Sequence, residues 1–230
     1  MAPFTVPKEG FSVGTYGLQA IPPEIYSPEC STIAIEFLKF DSSSLTQQET
    51  AKLKNHAAFK IDFVTPSHGY DGARVSTKID YEIASIHSAG GGSSKLGDLR
   101  VKPVAYADPS NRSACTMNIP LLQRITLGQL VRILTDNNLH RFYFRNINEK
   151  YYGSRDFITQ AVVRLECYKC IRPEVTSHTP FQVTLPTRNV YRLLGLRFPV
   201  LGGNPVPCSI DKGFFEGYTR VVTGDMPYKA

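Results

Sequence analysis

Short apolar runs with a period of two, separated by turn residues, recur along most of this chain. In the first run, Ile33, Ile35 and Phe37 alternate with residues that face the other way. This alternation predicts β-strands that turn one face to a core. Clusters of proline, glycine, asparagine and serine end the runs, as they do in turns. We predict seven to nine strands, drawn from residues 32–38, 59–63, 75–83, 99–107, 115–119, 139–144, 157–168, 181–185, 190–201 and 214–222.

Two capping boxes indicate the starts of short helices. Thr126 and Gln129 have the spacing at which each side chain satisfies the other residue's backbone amide, and residues 127–134 place four apolar side chains on one helical face. Thr46 and Glu49 have the same spacing. The predicted helices cover residues 46–54 and 126–137.

The excess of strands over helices predicts an all-β fold, a β-sandwich or jelly roll with one or two short inserted helices. A doubly wound α/β fold would need a helix after nearly every strand. Residues 1–30 contain five prolines and three glycines with little regular pattern. We therefore predict a proline-rich N-terminal arm at residues 1–30 and a single β-sandwich domain at residues 31–230.

Catalytic and cofactor motifs are missing from the sequence. There is no Gly-x-Ser-x-Gly elbow, and the five histidines lack His-Glu-x-x-His spacing. The glycine run at residues 90–92 fits neither a phosphate-binding loop nor a dinucleotide fingerprint, and we interpret it as a hairpin loop. We predict a protein that is not an enzyme, with no catalytic residues and no cofactor. A hydrolase with a dispersed site stays open as an alternative.

The cysteines provide little support for a metal site. Cys167 and Cys170 have C-x-x-C spacing, but a structural zinc site needs four ligands, and the other cysteines are scattered. We predict no metal, with Cys167 as a core residue and an exposed thiol beside it. Five cysteines, an odd number, indicate reduced thiols. No uninterrupted apolar run approaches the roughly 18 residues that a membrane span requires, so we predict no span.

The excess positive charge lies in one part of the sequence. The net charge is +6, and residues 140–200 hold ten Lys/Arg against four Asp/Glu, which leaves sixteen of each elsewhere. Clustered cations gain affinity for a polyanion by releasing counterions from its phosphates. A solvated basic face without any partner is the alternative interpretation.

Cations and aromatic rings interleave over residues 141–155. Single-stranded nucleic acid is bound by such pairing, because cations follow the phosphates while rings stack on unpaired bases. Alternation would place Phe142 and Phe144 in the core and Arg141, Tyr143 and Arg145 on one exposed stripe. A looser basic stretch follows at residues 188–197. The predicted nucleic-acid-binding residues are Arg141, Tyr143, Arg145, Lys150, Tyr151, Tyr152, Arg155, Arg188, Arg192 and Arg197.

The strand count, the helix at residues 126–137 and the terminal arm together resemble the jelly-roll coat (capsid) proteins of small RNA viruses, especially those of plants. The resemblance covers roughly residues 32–201. It implies a structural protein that self-assembles as a homo-oligomer around single-stranded RNA, located in the virion and the host cytoplasm. Such coat proteins often carry an arm rich in arginine and lysine, whereas residues 1–30 hold one lysine and three acids. RNA contact would therefore come from the folded domain, or the shell would pack little RNA directly.

Two other functions remain open. A single-stranded nucleic-acid-binding protein, such as a viral movement protein, would also be rich in strands and have a basic face. The third alternative is the hydrolase with a dispersed site.

Overall fold

A computed structural model describes residues 5–40, 46, 53–81, 86–87, 93–106, 111–147, 150–180, 182–199 and 203–229. Its strands are β1 (Phe11–Ser12), β2 (Cys30–Leu38), β3 (His56–Ser67), β4 (Tyr70–Ile79), β5 (Ile86–His87), β6 (Ser93–Val104), β7 (Ser113–Ile119), β8 (Phe142–Ile147), β9 (Lys150–Tyr152), β10 (Ser177–Thr179), β11 (Leu196–Arg197), β12 (Val206–Pro207) and β13 (Phe214–Phe215). Its helices are α1 (Val13–Tyr16), α2 (Pro23–Tyr26), α3 (Leu127–Asp136), α4 (Ser154–Cys167) and α5 (Val190–Leu193). The predicted helix at 46–54 and the glycine run at 90–92 fall largely or wholly outside the described residues.

Eleven of these strands form one sheet, in the order β10-β7-β2-β3-β4-β6-β8-β13, with β1 and β5 paired to β6 and β9 paired to β8. Neighbouring strands along this path run antiparallel. The predicted predominance of β-structure is confirmed. The sandwich or jelly-roll arrangement stays a prediction, because the path of paired strands in the described ranges is open at both ends.

Alternating apolar residues pair across the centre of the sheet, as the sequence predicts. Ile33 lies opposite Ile61 and Ile35 lies opposite Phe59, and all four are buried. Such cross-strand apolar pairs are the unit of sheet stabilisation. The strands predicted at 32–38, 59–63, 75–83, 99–107 and 115–119 are found, with shifted ends, as β2, β3, β4, β6 and β7.

The predicted strand at residues 157–168 is wrong: residues 157–167 belong to helix α4, and Tyr168 caps its C-terminus. Eleven of the fourteen residues of α4 are buried, because the helix packs against β3, β4 and α3. Phe157, Ala161 and Leu165 lie four residues apart. This spacing fits the alternation of a strand, but it also places the three side chains along one side of a helix. Gly153 precedes the helix at a φ of 139°, where a Cβ would come within 2.6 Å of the Phe142 ring.

The predicted helix at 126–137 is confirmed as α3. The Thr126 side chain accepts a hydrogen bond from the Gln129 amide at 3.1 Å, and the Gln129 side chain accepts one from the Thr126 amide at 2.8 Å. This reciprocal cap fixes the start of the helix. The apolar side chains that α3 buries are Leu127, Leu130, Val131 and Leu134.

The C-terminal segment is attached to α4 through Asp156, which is fully buried. Its carboxylate accepts hydrogen bonds from the Arg220 guanidinium at 2.6 Å, the Tyr228 hydroxyl at 2.7 Å and the Gly213 amide at 2.8 Å. Gln160, one turn later, donates to the Val221 carbonyl at 2.8 Å. Residues 213–228 therefore cover one side of the helix.

Other predicted strands differ from the structure in position or type. The strand expected at 139–144 begins only at Phe142, and the strand expected at 214–222 is limited to the two residues of β13. In place of the strand expected at 190–201, residues 190–193 form α5 and residues 196–197 form β11, while residues 200–201 lie outside the described residues. Residues 182–185 form no strand. The N-terminal segment packs on the sheet through β1, where Phe11 pairs with Val101.

Candidate nucleic-acid interface

The strand β8 has one buried face, which carries aromatic side chains, and one face that is open to solvent. Phe142 and Phe144 are buried and meet edge to face, with ring centroids 5.2 Å apart. Phe142 also packs against Phe157 of α4, at 5.9 Å. Because successive side chains of a strand point to opposite faces, Tyr143 and Arg145 lie on the other side, where Arg145 is exposed. The predicted orientation of this stripe is confirmed.

The strand β9 extends the same face. Its register places Tyr152 opposite Arg145 and Lys150 opposite Ile147. Directly opposed residues of antiparallel strands point to the same side, so both β9 side chains join those of β8. Arg141 is exposed and lies two residues before Tyr143. We call this surface the hairpin face; it comprises Arg141, Tyr143, Arg145, Lys150 and Tyr152.

An aromatic residue that the sequence analysis missed lies beside Tyr143. β13 pairs with β8 so that Phe214 is opposite Tyr143, with ring centroids 5.7 Å apart. Phe214 is 58% exposed. The Tyr143 hydroxyl donates to the Glu216 carboxylate at 3.2 Å, and burial together with this carboxylate raises the pKa of Tyr143. Two neighbouring rings are thus available to a ligand on this face.

A second missed residue is Lys54. Its ammonium lies 6.0 Å from the Tyr152 ring centroid and donates to the Asp211 carboxylate at 2.7 Å. Burial and the charge of Asp211 raise the pKa of Tyr152. The chain reaches this position from before β3, about a hundred residues away, so no local pattern indicates it.

The prediction that Arg155 contacts nucleic acid at the surface is wrong, because this residue is only 4% exposed. Its guanidinium donates to the carbonyls of Leu196 at 2.6 Å, Leu194 at 3.1 Å and Asn55 at 3.1 Å. Burial lowers its pKa. These bonds join three segments of the fold and leave the Arg155 guanidinium unavailable to a phosphate.

Tyr151 does not lie on the hairpin face. It is opposite Asn146, which is two residues from Phe144 and so shares the side of that buried ring. The alternation of β9 therefore separates the two adjacent tyrosines, and only Tyr152 stays beside Arg145.

The second predicted basic stretch lies outside the β8–β9 hairpin. Arg188 and Arg192 are exposed, and Arg192 pairs with Asp225 at 2.8 Å. Arg197 is half-buried in β11, which pairs with β12 in a sheet separate from that of β8. Within the described ranges no strand pairing joins these arginines to the hairpin, so we limit the candidate interface to the hairpin face, Phe214 and Lys54.

Carboxylates reduce the positive potential at one end of the hairpin face. A cleft of about 400 Å³ next to Arg141 and Tyr143 is also lined by Asp80, Asp98 and Glu216. A negative charge within a few ångströms opposes a phosphate. The cations best placed for a polyanion are therefore Arg145 and Lys150, at the opposite end.

Two histidines near this region are kept neutral. Burial, with Arg74 and Arg155 nearby, lowers the pKa of His56 to about 4. Burial and Arg141 lower the pKa of His140, which also lies beside the cleft. Neutral imidazoles add no positive charge at pH 7.

The prediction of Cys167 as the buried core residue is wrong. Cys170 is buried and Cys167 is exposed, because α4 ends at Cys167 and the chain then turns inward. In the part of the chain that the structure describes, no three histidine, cysteine or acidic side chains are grouped as metal ligands.

No helix within the described ranges is both long and apolar enough to cross a membrane.

No protein-family model, no curated protein and no solved structure matches this chain.

Proposed function

We propose that the protein binds single-stranded nucleic acid, in particular RNA, through the hairpin face. The observation that carries this proposal is the register of β8 and β9, which puts Arg145 and Lys150 on the same exposed side as the rings of Tyr143 and Tyr152. Cations at these positions would follow the phosphates, while the rings stack on bases at about 1–3 kcal/mol each.

The proposal includes a preference for unpaired bases. In a duplex the bases are already stacked on one another, so rings on a protein surface have no free base face to contact. Tyr143, Tyr152 and Phe214 would then contribute nothing, and only the two cations would act. Duplex RNA of equal length is therefore expected to bind more weakly than the single strand.

Fluorescence anisotropy with a labelled single-stranded RNA of twenty nucleotides tests this function. Arg145→Ala/Lys150→Ala is expected to weaken binding about tenfold or more, since each lost charged contact is worth about 1 kcal/mol or more. Arg124→Ala/Arg132→Ala is the matched control, because it removes two exposed arginines at α3 and the loop before it. Equal affinities of these two double variants would contradict the proposal.

Self-assembly into a coat is the second function that we propose, with the jelly-roll arrangement and the virion location that it implies. The supporting observation is that Leu122 and Tyr168 are both about half-exposed and lie on two segments joined by the hydrogen bond from the Leu122 amide to the Cys170 carbonyl at 2.9 Å. Exposed apolar surface of this kind favours contact between subunits where it is contiguous.

Negative-stain microscopy and size-exclusion chromatography test the assembly. Uniform particles that are lost in Leu122→Ser/Tyr168→Ser would support a coat, and a monomer at all concentrations would contradict it. The RNA-binding proposal does not depend on this result, because the hairpin face belongs to one subunit.

A further inference from the structure

The cleft of about 400 Å³ at one end of the hairpin face is lined by side chains from paired strands. Leu96 of β6 is opposite Tyr143 of β8, and the Asp80 amide donates to the Leu96 carbonyl at 2.9 Å, which continues the β4–β6 pairing by one residue. Directly opposed residues of antiparallel strands point to the same side, so these three side chains share the side of the hairpin face. The cleft is therefore continuous with the proposed RNA-binding surface.

Two groups of opposite charge lie side by side in this cleft. β13 pairs with β8 so that Phe215 is opposite Phe142, and the next amide, that of Glu216, donates to the Arg141 carbonyl at 2.9 Å. Arg141 and Glu216 are thus directly opposed, and both are exposed and line the cleft. Their side chains point to the same side.

These two groups keep hydrogen-bonding capacity that the fold does not use. In the described part of the chain the Arg141 guanidinium makes no hydrogen bond or ion pair, not even with Glu216. The Glu216 carboxylate accepts one hydrogen bond there, from the Tyr143 hydroxyl at 3.2 Å. A guanidinium has five donor protons and a carboxylate has about four acceptor sites. Asp98, in contrast, already pairs with Arg100 at 2.5 Å.

Guanine is the base whose edges match this pair of groups. Its N1–H and N2–H₂ donors are adjacent, so one carboxylate can accept from both, while the neighbouring acceptors O6 and N7 are the atoms that arginine binds with two donors. Adenine, cytosine and uracil each have one donor group with an acceptor beside it, and a carboxylate repels that acceptor. An unpaired base leaves all of these edges accessible.

We infer that the cleft recognises guanine in single-stranded RNA. Glu216 would accept from N1 and N2, Arg141 would donate to O6 and N7, and the base would lie against Tyr143 and Leu96. The cleft has room for a base, since its volume is within the range of about 300–1,000 Å³ that is typical of small-molecule sites. The inference rests on the proposed RNA binding and adds a base preference to it, at the end of the hairpin face where carboxylates oppose phosphates.

Fluorescence anisotropy of the full chain with three labelled strands tests the inference. Each strand has twenty nucleotides, all uridine except for one central guanosine, adenosine or inosine. We expect the guanosine strand to bind about fivefold or more tighter than the adenosine strand, as expected for one bidentate base contact. Inosine lacks the N2 amino group, so its strand should bind more weakly than the guanosine strand.

Two variants test whether the preference depends on Glu216. Glu216→Gln keeps the size of the side chain but replaces one acceptor oxygen by a donor, so it should bind the guanosine and adenosine strands about equally. Glu174→Gln removes an exposed carboxylate from another segment and should keep the wild-type ratio. Each result is a ratio of two affinities of the same protein, so a general change in affinity cancels.

The outcomes separate this inference from the function on which it rests. Equal binding of the guanosine strand and either comparison strand by the wild type, or a guanine preference that Glu216→Gln retains, would overturn the guanine site and leave RNA binding intact. A wild type that binds none of the strands would overturn both proposals. Arg145→Ala/Lys150→Ala should weaken all three strands and keep their ratio, because these cations contact phosphates at the other end of the hairpin face.

Discussion

The Tyr143 and Phe214 rings lie 5.7 Å apart across the β8–β13 pairing, inclined by 48°. They come from positions seventy-one residues apart and meet only because the C-terminal segment folds back on α4. Phe214 is largely exposed, so the pair presents apolar surface to solvent at a place where Arg145 supplies charge. This combination is the basis of the binding function that we propose.

Removing the Tyr143 ring should weaken single-stranded RNA binding. Tyr143→Ala is expected to cost about 1–3 kcal/mol of binding free energy, the usual value for one stacked base. Tyr143→Phe keeps the ring and loses only the bond to Glu216, so it should bind as tightly as wild type. Anisotropy titrations measure both, and a loss in Tyr143→Phe as large as that in Tyr143→Ala would exclude stacking.

Asp156 should be essential for stability. Asp156→Ala leaves the Arg220 guanidinium without the carboxylate that it contacts through two nitrogens, and breaking a buried ion pair costs about 3–5 kcal/mol. Urea unfolding measures the free energy of unfolding. Glu174→Ala, at an exposed acidic residue, should change it by less than about 0.5 kcal/mol. Similar effects of the two variants would show that the Asp156 contacts contribute little.

Gly97 should not tolerate a methyl group. A Cβ there would lie 2.9 Å from the Phe144 ring and 3.1 Å from the Phe142 ring. Overpacking of this kind costs about 1–3 kcal/mol, so Gly97→Ala should lower the melting temperature. Gly224→Ala is the control, since a Cβ there meets no atom within 4 Å. A melting temperature of Gly97→Ala that matches this control would mean that the two rings move apart freely.

His56 should make the protein less stable in mild acid. Its folded pKa is about 4 against a usual value of 6.5, so between these pH values the unfolded chain binds a proton that the folded chain does not. The free energy of unfolding should therefore fall as the pH drops from 6.5 to 4. Urea unfolding at several pH values should show a shallower fall for His56→Gln than for wild type, and equal slopes of the two proteins would contradict this account.

Local patterns predicted the parts of the fold whose large apolar side chains lie on one face. The alternation of Ile33, Ile35 and Phe37 identified β2, and the reciprocal cap of Thr126 and Gln129 identified α3. The apolar side chains of α3 lie on one face. β2 is buried on both faces, but its large apolar side chains share one face while Ala34 and Glu36 occupy the other, so the period of two is still visible in the sequence.

The helix α4 could not be recognised by an amphipathic pattern, because it is buried on nearly all sides. Polar residues such as Arg155, Asp156 and Gln160 interrupt its apolar period, yet they are buried through contacts with distant carbonyls and side chains. A helix surrounded by protein shows no polar face from which its period can be read. The spacing of Phe157, Ala161 and Leu165 was the available signal.

The sequence could predict only those features of the candidate site that depend on the alternation of side chains along a strand. The outward direction of Arg145 follows from β8 itself, and the structure confirms it. The separation of Tyr151 from Tyr152 depends on the β8–β9 register, and the positions of Phe214 and Lys54 depend on long-range packing. These relationships are properties of the folded chain.

The salt dependence of single-stranded RNA binding tests the central claim most directly. Each neutralised phosphate on a single strand contributes about 0.7 to the slope of log affinity against log salt concentration. If Arg145 and Lys150 each contact one phosphate, Arg145→Ala/Lys150→Ala should reduce the wild-type slope by about 1.4. An unchanged slope in this variant would contradict nucleic-acid binding by the hairpin face.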